Sequence, residues 1–61
     1  MELTSKDLMR FYCCSENTAI QRRKEILRFF GLPVSKNRIH ILHLSKYEGL
    51  SVSDIRVILF E

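Results

Sequence analysis

The sequence predicts a mainly α-helical fold: a helix-turn-helix with a small two-stranded β-hairpin, or wing, and one or two C-terminal helices. Three observations support this prediction. Two segments of helical apolar periodicity are separated by the short break Cys13–Ser15, and each segment begins at a capping residue. Gly31 and Pro33 end the second segment, and a stretch of alternating apolar residues follows it. The 61 residues predict one domain, spanning 1–61.

The first helix is expected from about Ser5 to Tyr12. Thr4 is a good N-cap, and Asp7 lies three residues later, in the capping-box position. Leu3 and Leu8 have the spacing of a hydrophobic staple, which fixes the direction of the chain as it enters a helix.

The second helix is expected from the N-cap Ser15 to about Phe30. Ala19, Ile26 and Phe30 mark its inner face, and the aliphatic stem of Arg22 or Arg23 fills the turn between them. Cys13 and Cys14 are expected to be small, semi-buried residues in the tight turn before this helix.

Residues 32–41 predict the hairpin. Leu32 and Val34 alternate with other residues, as do Ile39 and Ile41, and the polar stretch 35–37 between them is typical of a turn. The tip of this hairpin would carry basic side chains.

The C-terminal third predicts a short helix from Leu42 to Tyr47, ended by Gly49. A last helix, capped by Ser51 or Ser53, would place three apolar residues on one side. These residues are Val52, Ile55 and Leu59. The run 57–60 is also rich in strand-forming residues, so a strand is the alternative for this element.

Positive charge is concentrated in the middle of the chain. Residues 16–38 carry six basic and two acidic side chains, whereas the segments on either side are close to balanced. A segregated basic patch is typical of a surface that binds phosphates.

Other function classes find little support in the sequence. It has no apolar run long enough for a membrane span and no secretory signal, and its adjacent cysteines fit a reducing compartment, so we expect a cytoplasmic protein. His40 and His43 lack further ligands at metal-site spacing, and neither has a nucleophile or carboxylate partner. We therefore expect no metal, no cofactor and no enzymatic activity.

The outer face of the second helix is expected to contact DNA. Asn17, Gln21, Lys24 and Arg28 recur at helical spacing and form one polar stripe. Asparagine and glutamine can pair with adenine edges, and arginine or lysine with guanine or phosphate. Ser15 and Thr18 lie at the helix N-terminus, where free backbone N–H groups favour a phosphate. The alternative for the stripe is an ordinary solvated helix face.

The expected hairpin tip carries Lys36, Asn37 and Arg38. As a wing, it would contact backbone phosphates or the neighbouring minor groove, and His40 could add a phosphate contact. An ordinary solvated turn would have a similar composition.

The stretch LTSKDLMRFYCCSENTAIQRRKEI resembles the opening of excisionase-like and other small regulators of the MerR superfamily. The outline of GLPVSKNRIHILHLSKYEGL is similar to the wing, strand and helix that follow in that family. The resemblance covers roughly residues 3–50 and implies a winged helix-turn-helix of phage or mobile-element type. Such a protein would bind double-stranded DNA in transcription regulation or recombination. The resemblance places Asn17, Thr18, Gln21 and Arg22 on the groove-facing helix, and Lys36 and Arg38 on the wing.

The apolar C-terminus predicts a partner. We expect a homodimer because the C-terminus offers more apolar surface than so small a core absorbs and because a single small module binds DNA over a limited area. The residues expected to form it are Val52, Ile55, Ile58, Leu59 and Phe60, with Val52, Ile55 and Leu59 as the main contact. The alternative is a module that docks on another protein through the same apolar surface, with the basic stripe serving solubility.

Overall fold

The computed structural model describes residues 1–60 and confirms the expected fold class, which is mainly α-helical with a small two-stranded antiparallel sheet. The elements in chain order are β1 (Glu2–Leu3), α1 (Ser5–Tyr12), α2 (Glu16–Phe29), β2 (Ile39–His40), α3 (Ile41–Glu48) and α4 (Val52–Phe60). They enclose one apolar core within a body of 29 × 22 × 17 Å.

Helix α1 begins at the capping box that the sequence predicts. The Thr4 backbone N–H donates to the Asp7 carboxylate at 2.9 Å, and the Asp7 N–H donates to Thr4 Oγ1 at 3.4 Å. Leu3 and Leu8 are fully buried, as the hydrophobic staple requires. These local contacts explain why the start of α1 could be predicted.

The turn after α1 depends on a cysteine in an unusual conformation. Cys13 has a positive φ of 52°, and the Cys14 N–H closes the turn by donating to the Met9 carbonyl at 3.1 Å. Glycine is the usual residue at such a left-handed helix end. Cys14 is half-buried as expected, but Cys13 is exposed, so the prediction of two semi-buried cysteines is wrong for Cys13.

Helix α2 ends in a Schellman motif at Gly31. The Leu32 N–H donates to the Leu27 carbonyl at 2.8 Å, and the Gly31 N–H donates to the Arg28 carbonyl at 3.1 Å. Gly31 has a φ of 68°, which the motif needs and which glycine adopts without strain.

The sheet contains the second of the two expected strands, but its partner is the N-terminal segment and not residues 32–34. Strand β2 pairs with β1 near the N-terminus, with Glu2 opposite His40 and Leu3 opposite Ile39, and residues 32–38 form no strand. Pro33 has no backbone N–H to donate to a neighbouring strand. The Pro33 carbonyl accepts from the Lys36 N–H at 3.2 Å, so this segment bends instead of extending. The placement of a hairpin within 32–41 is therefore wrong, and residues 30–38 form a loop, called the 30–38 loop below.

The last element is a helix and not a strand. Ser51 caps it, since its Oγ accepts from the Asp54 N–H at 3.1 Å. Ile55 and Leu59 face the core and are 0% and 3% exposed, and Val52 packs beside them. This burial contradicts the expected homodimer contact through Val52, Ile55 and Leu59, because the domain's own core already covers these side chains.

The helices are held together by apolar packing and a few polar links. The core contains residues from every element: Leu3, Leu8, Ala19, Ile26, Leu27, Ile39, Ile41, Leu44, Ile55 and Leu59. The Arg10 guanidinium donates to the Leu59 carbonyl at 3.1 Å, which satisfies an acceptor in the last turn of α4 and ties it to α1. Helix α1 packs more extensively on α2 than on any other element, so this pair of helices forms the centre of the domain.

Candidate nucleic-acid interface

The packing of α1 on α2 leaves the outer face of α2 open. Ala19 is fully buried in this contact and, being small, lets the two helices approach closely. Ile26 and Leu27 continue the buried side of α2 towards its C-terminus. The opposite side of the helix, including its N-terminal half, faces solvent.

Four side chains form the expected stripe on that open side, called the polar row below. It consists of Asn17, Gln21, Lys24 and Arg28. Asn17, Gln21 and Arg28 are exposed and Lys24 is half-buried, so most of the row is open to solvent. Successive positions of the row differ by about 40° or about 60° around the helix axis, and all four lie within a sector of about 60°, so their functional groups can reach one ligand together.

The N-terminus of α2 is capped by its own side chains. Ser15 Oγ accepts from the Thr18 backbone N–H at 3.4 Å and donates its proton to Thr18 Oγ1 at 3.2 Å. The Ser15 hydroxyl is thus engaged in the cap, and the Thr18 hydroxyl is the one that can donate to an incoming phosphate. Both residues are exposed.

Arg22 lies apart from the polar row, on the side of α2 that faces α1. Its guanidinium lies 5.5 Å from the centroid of the Tyr12 ring and 3.6 Å from the Glu25 carboxylate. Of the residues expected to touch DNA, Arg22 is therefore the one whose charge is already partnered within the domain.

Tyr12 also joins α1 to α3 beside this arginine. Its hydroxyl donates to the Glu48 carboxylate at 2.6 Å. Partial burial, followed by the hydrogen bond and the negative charge of Glu48, raises the pKa of the Tyr12 phenol above its ordinary value. The phenol therefore stays protonated and keeps donating at neutral pH.

The 30–38 loop carries the remaining basic residues to the edge of α2. Lys36 and Arg38 are exposed, although they do not stand on a hairpin tip. Asn37 and Arg38 line a cleft with Ile20 and Arg23 of α2. Because Lys24 lies about 40° beyond Ile20 around the helix, the loop flanks the polar row on one side.

This cleft brings in basic residues that were not expected at the site. Lys6, in the first turn of α1, lines it opposite the loop. Arg23 fills the inner face of α2, as was expected of either Arg22 or Arg23, and donates to Ser5 Oγ at 2.8 Å. The position of Lys6 depends on how α1 crosses α2, so nothing in the local sequence around it indicates a site.

The other groups considered for chemistry do not assemble into a centre. Within residues 1–60, no three His, Cys, Asp or Glu side chains lie close enough to hold a metal ion. His40 caps α3 through Nδ1, which accepts from the Leu42 N–H at 3.1 Å, and His43 packs against the Phe30 ring. Over the same described residues, every helix is too short or too polar to cross a membrane.

Comparisons with protein-family models, curated protein sequences and solved structures found no significant match. The fold and this exposed surface define a small helix-turn-helix domain with a basic loop beside its second helix.

Proposed function

We propose that this domain binds double-stranded DNA by inserting the N-terminal half of α2 into the major groove. The observation that carries the proposal is the largely exposed polar row on the helix that follows the turn. Asn17 and Gln21 would read base edges, and Lys24 and Arg28 would contact bases or phosphates.

Lys36 and Arg38 would bind the backbone beside the groove. Their loop flanks the polar row, and a flanking phosphate contact fixes the position of a protein on the duplex without reading sequence. The free backbone N–H groups at the start of α2, with the Thr18 hydroxyl, would hold a second phosphate, while Ser15 keeps its place in the helix cap. The concentration of positive charge in residues 16–38 supports both contacts.

The resemblance to excisionase-like and MerR-type regulators favours a role in transcription regulation or recombination. Such a role belongs in the cytoplasm, and the free thiols of Cys13 and Cys14 fit that reducing compartment.

The test separates base reading from phosphate binding. Sequences bound by the domain are first selected from a random duplex pool. Gln21→Ala should then change the preferred sequence, whereas Lys36→Ala should weaken binding to all duplexes by a similar factor and reduce the slope of log affinity against log salt by about one. Fluorescence anisotropy at two salt concentrations measures both effects.

Arg56→Ala is the matched control for this test, because it removes one exposed positive charge from α4, away from α2. We expect it to bind like the unmodified protein. Equal weakening by Arg56→Ala and Lys36→Ala would contradict the placement of the interface. Unchanged binding in both Gln21→Ala and Lys36→Ala would contradict the proposal itself.

The outer face of α4 supports a second contact, between two copies of the domain on DNA. Val57, Ile58 and Phe60 are 51%, 46% and 51% exposed. Val57 lies on the side of α4 opposite the buried Ile55 and Leu59, and Ile58 and Phe60 lie on either side of it. Three half-exposed side chains cover far less than the roughly 800 Å² per partner of a standard interface. Such a face can assist two copies that DNA already holds together, but it is too small for a stable dimer in solution.

Cooperative binding tests this contact. We expect a monomer by sedimentation velocity without DNA and cooperative binding to a duplex with two adjacent sites. Ile58→Ser should reduce the cooperativity and leave affinity for a single site unchanged. Leu42→Ser, which also alters a half-exposed apolar residue, is the control. Equal cooperativity in both variants would contradict a contact between two copies of the domain. The exposed face of α4 would then be a candidate contact for a different protein.

A further inference from the structure

A second cleft lies between the 30–38 loop and the start of α3, and the DNA-binding proposal leaves most of it unused. Its volume is about 410 Å³, within the range typical of small-molecule sites. Its apolar lining residues are Leu27, Leu32, Ile39 and Leu42. Leu27 and Ile39 are 1% and 2% exposed, so they form a closed floor, whereas Leu42 stands open at the edge.

Basic and imidazole side chains surround this floor. The lining residues of this kind are Lys36, Arg38, His40, His43 and Lys46. Glu2 is the acidic residue among the lining residues, so the cleft carries an excess of positive charge. The positive end of the α3 dipole lies at His40, the N-cap of that helix, and makes the electrostatic potential in the cleft more positive.

Two histidine rings also line this cleft. The His43 ring packs against Phe30 with a centroid distance of 4.8 Å, which holds the imidazole in place. The His40 ring lies 6.4 Å from His43 and nearly perpendicular to it, at 82°. His40 is further fixed by its hydrogen bond with the Leu42 N–H. Two imidazoles that also contact the rest of the domain thus line a cleft that is apolar at its base and cationic at its rim.

We propose that this cleft binds a free mononucleotide. A phosphate dianion matches the rim of lysines and arginine, and a planar base matches the apolar floor and the imidazole rings. Glu2 can accept from an amino group of the base. Inorganic phosphate would leave the floor empty, and an uncharged nucleoside would leave the cations unmatched. The match of the two halves of the cleft to the two halves of the ligand therefore carries the proposal.

Nucleotide binding in this cleft has a consequence for DNA. Lys36 and Arg38 belong both to this cleft and to the surface proposed for the duplex backbone. A bound nucleotide would occupy these side chains and compete with a backbone phosphate for them. Nucleotide binding itself needs no DNA, and it can therefore be tested independently of the DNA-binding proposal.

Nuclear magnetic resonance of the free domain tests the site directly. The chain has two histidines, both in the cleft, so the imidazole protons report on it without interference. Adenosine 5′-monophosphate should shift both imidazole signals and the amides around residues 36–46, with a dissociation constant of roughly 0.1–1 mM, as suits a half-open cleft. Inorganic phosphate and adenosine, titrated at equal ionic strength and pH, should each bind at least about tenfold more weakly.

Two lysine variants then locate the phosphate. Lys46→Gln removes a charge from the cleft and should weaken binding of the monophosphate several-fold. Lys6→Gln removes the same charge from the cleft between α1 and the loop and should leave nucleotide binding unchanged. Both lysines are exposed, so neither change should disturb folding, and an amide spectrum of each variant checks this.

Three results would overturn the nucleotide site. They are the absence of imidazole shifts with the monophosphate, equal binding of inorganic phosphate or adenosine, and equal weakening by the two lysine variants. Neither Lys46 nor Lys6 belongs to the proposed groove-reading residues, so DNA binding by Lys46→Gln should persist whichever result is found. Failure of the nucleotide site is therefore distinguishable from failure of the DNA-binding proposal.

Discussion

Tyr12 shows how one side chain can link elements that are distant in the sequence. Its ring packs edge-on against Phe11 in the same helix, and its hydroxyl reaches Glu48 at the end of α3. Arg22 covers the face of the same ring. The phenol therefore couples the orientation of the helix-turn-helix to the C-terminal half of the domain.

We expect Tyr12→Phe to lower the free energy of unfolding by about 0.5–1.5 kcal/mol at neutral pH, because it removes one hydrogen bond to a carboxylate at a partly exposed site. The folded protein raises the pKa of this phenol, so it holds the proton more tightly than the unfolded chain does. The stabilisation is therefore complete below about pH 10 and decreases as the pH rises further. Urea unfolding of both proteins across this pH range measures the difference.

Tyr47→Phe is the control for this pH series. Tyr47 is also half-buried, and its ring packs edge-on against Phe29 at 5.3 Å. The difference in the free energy of unfolding between unmodified protein and Tyr12→Phe should shrink above about pH 10, and Tyr47→Phe measures how much of such a trend comes from loss of a tyrosine hydroxyl elsewhere. A constant difference across the range would contradict the assigned role of the Tyr12–Glu48 hydrogen bond.

At the scale of the elements, local chemistry decided what the sequence could predict. Thr4 with Asp7, Ser15, Gly31 and Gly49 each act within one helical turn, and the helix ends follow these residues closely. A helix boundary is set by backbone groups that have no partner further along the helix, and nearby side chains or glycines satisfy them.

The sheet could not be predicted in the same way, because its two strands are far apart in the chain. Ile39 is apolar and buried, and its place in a strand was expected. Alternation within one segment indicates which face is buried, but it does not identify the partner strand. The partner is β1, and the Met1 carbonyl extends the pairing by accepting from the Ile41 N–H at 2.9 Å.

The same distinction between local features and tertiary contacts applies to the candidate site. The polar row is a property of one helix and follows from its periodicity, so it was predicted residue by residue. Lys6 and Lys46 come to the two clefts through tertiary packing, and Lys36 and Arg38 reach the flank of α2 on a loop instead of a wing. The sequence shows that these residues are basic, but it does not show which other residues they approach in the folded domain.

Over the whole molecule, the pairing of β1 with β2 makes the N-terminal segment part of the core. Leu3 is fully buried and packs with residues from the rest of the domain. A domain of about 60 residues has a total stability of only a few kcal/mol. Loss of this one contact therefore affects every element together, and not only the first residues.

We expect Leu3→Ala to lower the free energy of unfolding by about 2–4 kcal/mol, because it deletes buried methyl groups and leaves a cavity. Leu42→Ala makes the same change at a residue that is 53% exposed, so it should cost less than about 1 kcal/mol. Urea unfolding followed by far-ultraviolet circular dichroism compares the two. If Leu3→Ala lowered the free energy of unfolding no more than Leu42→Ala does, the N-terminal strand would not be part of the cooperative core. The side of the second cleft that Glu2 lines would then lack support from that core.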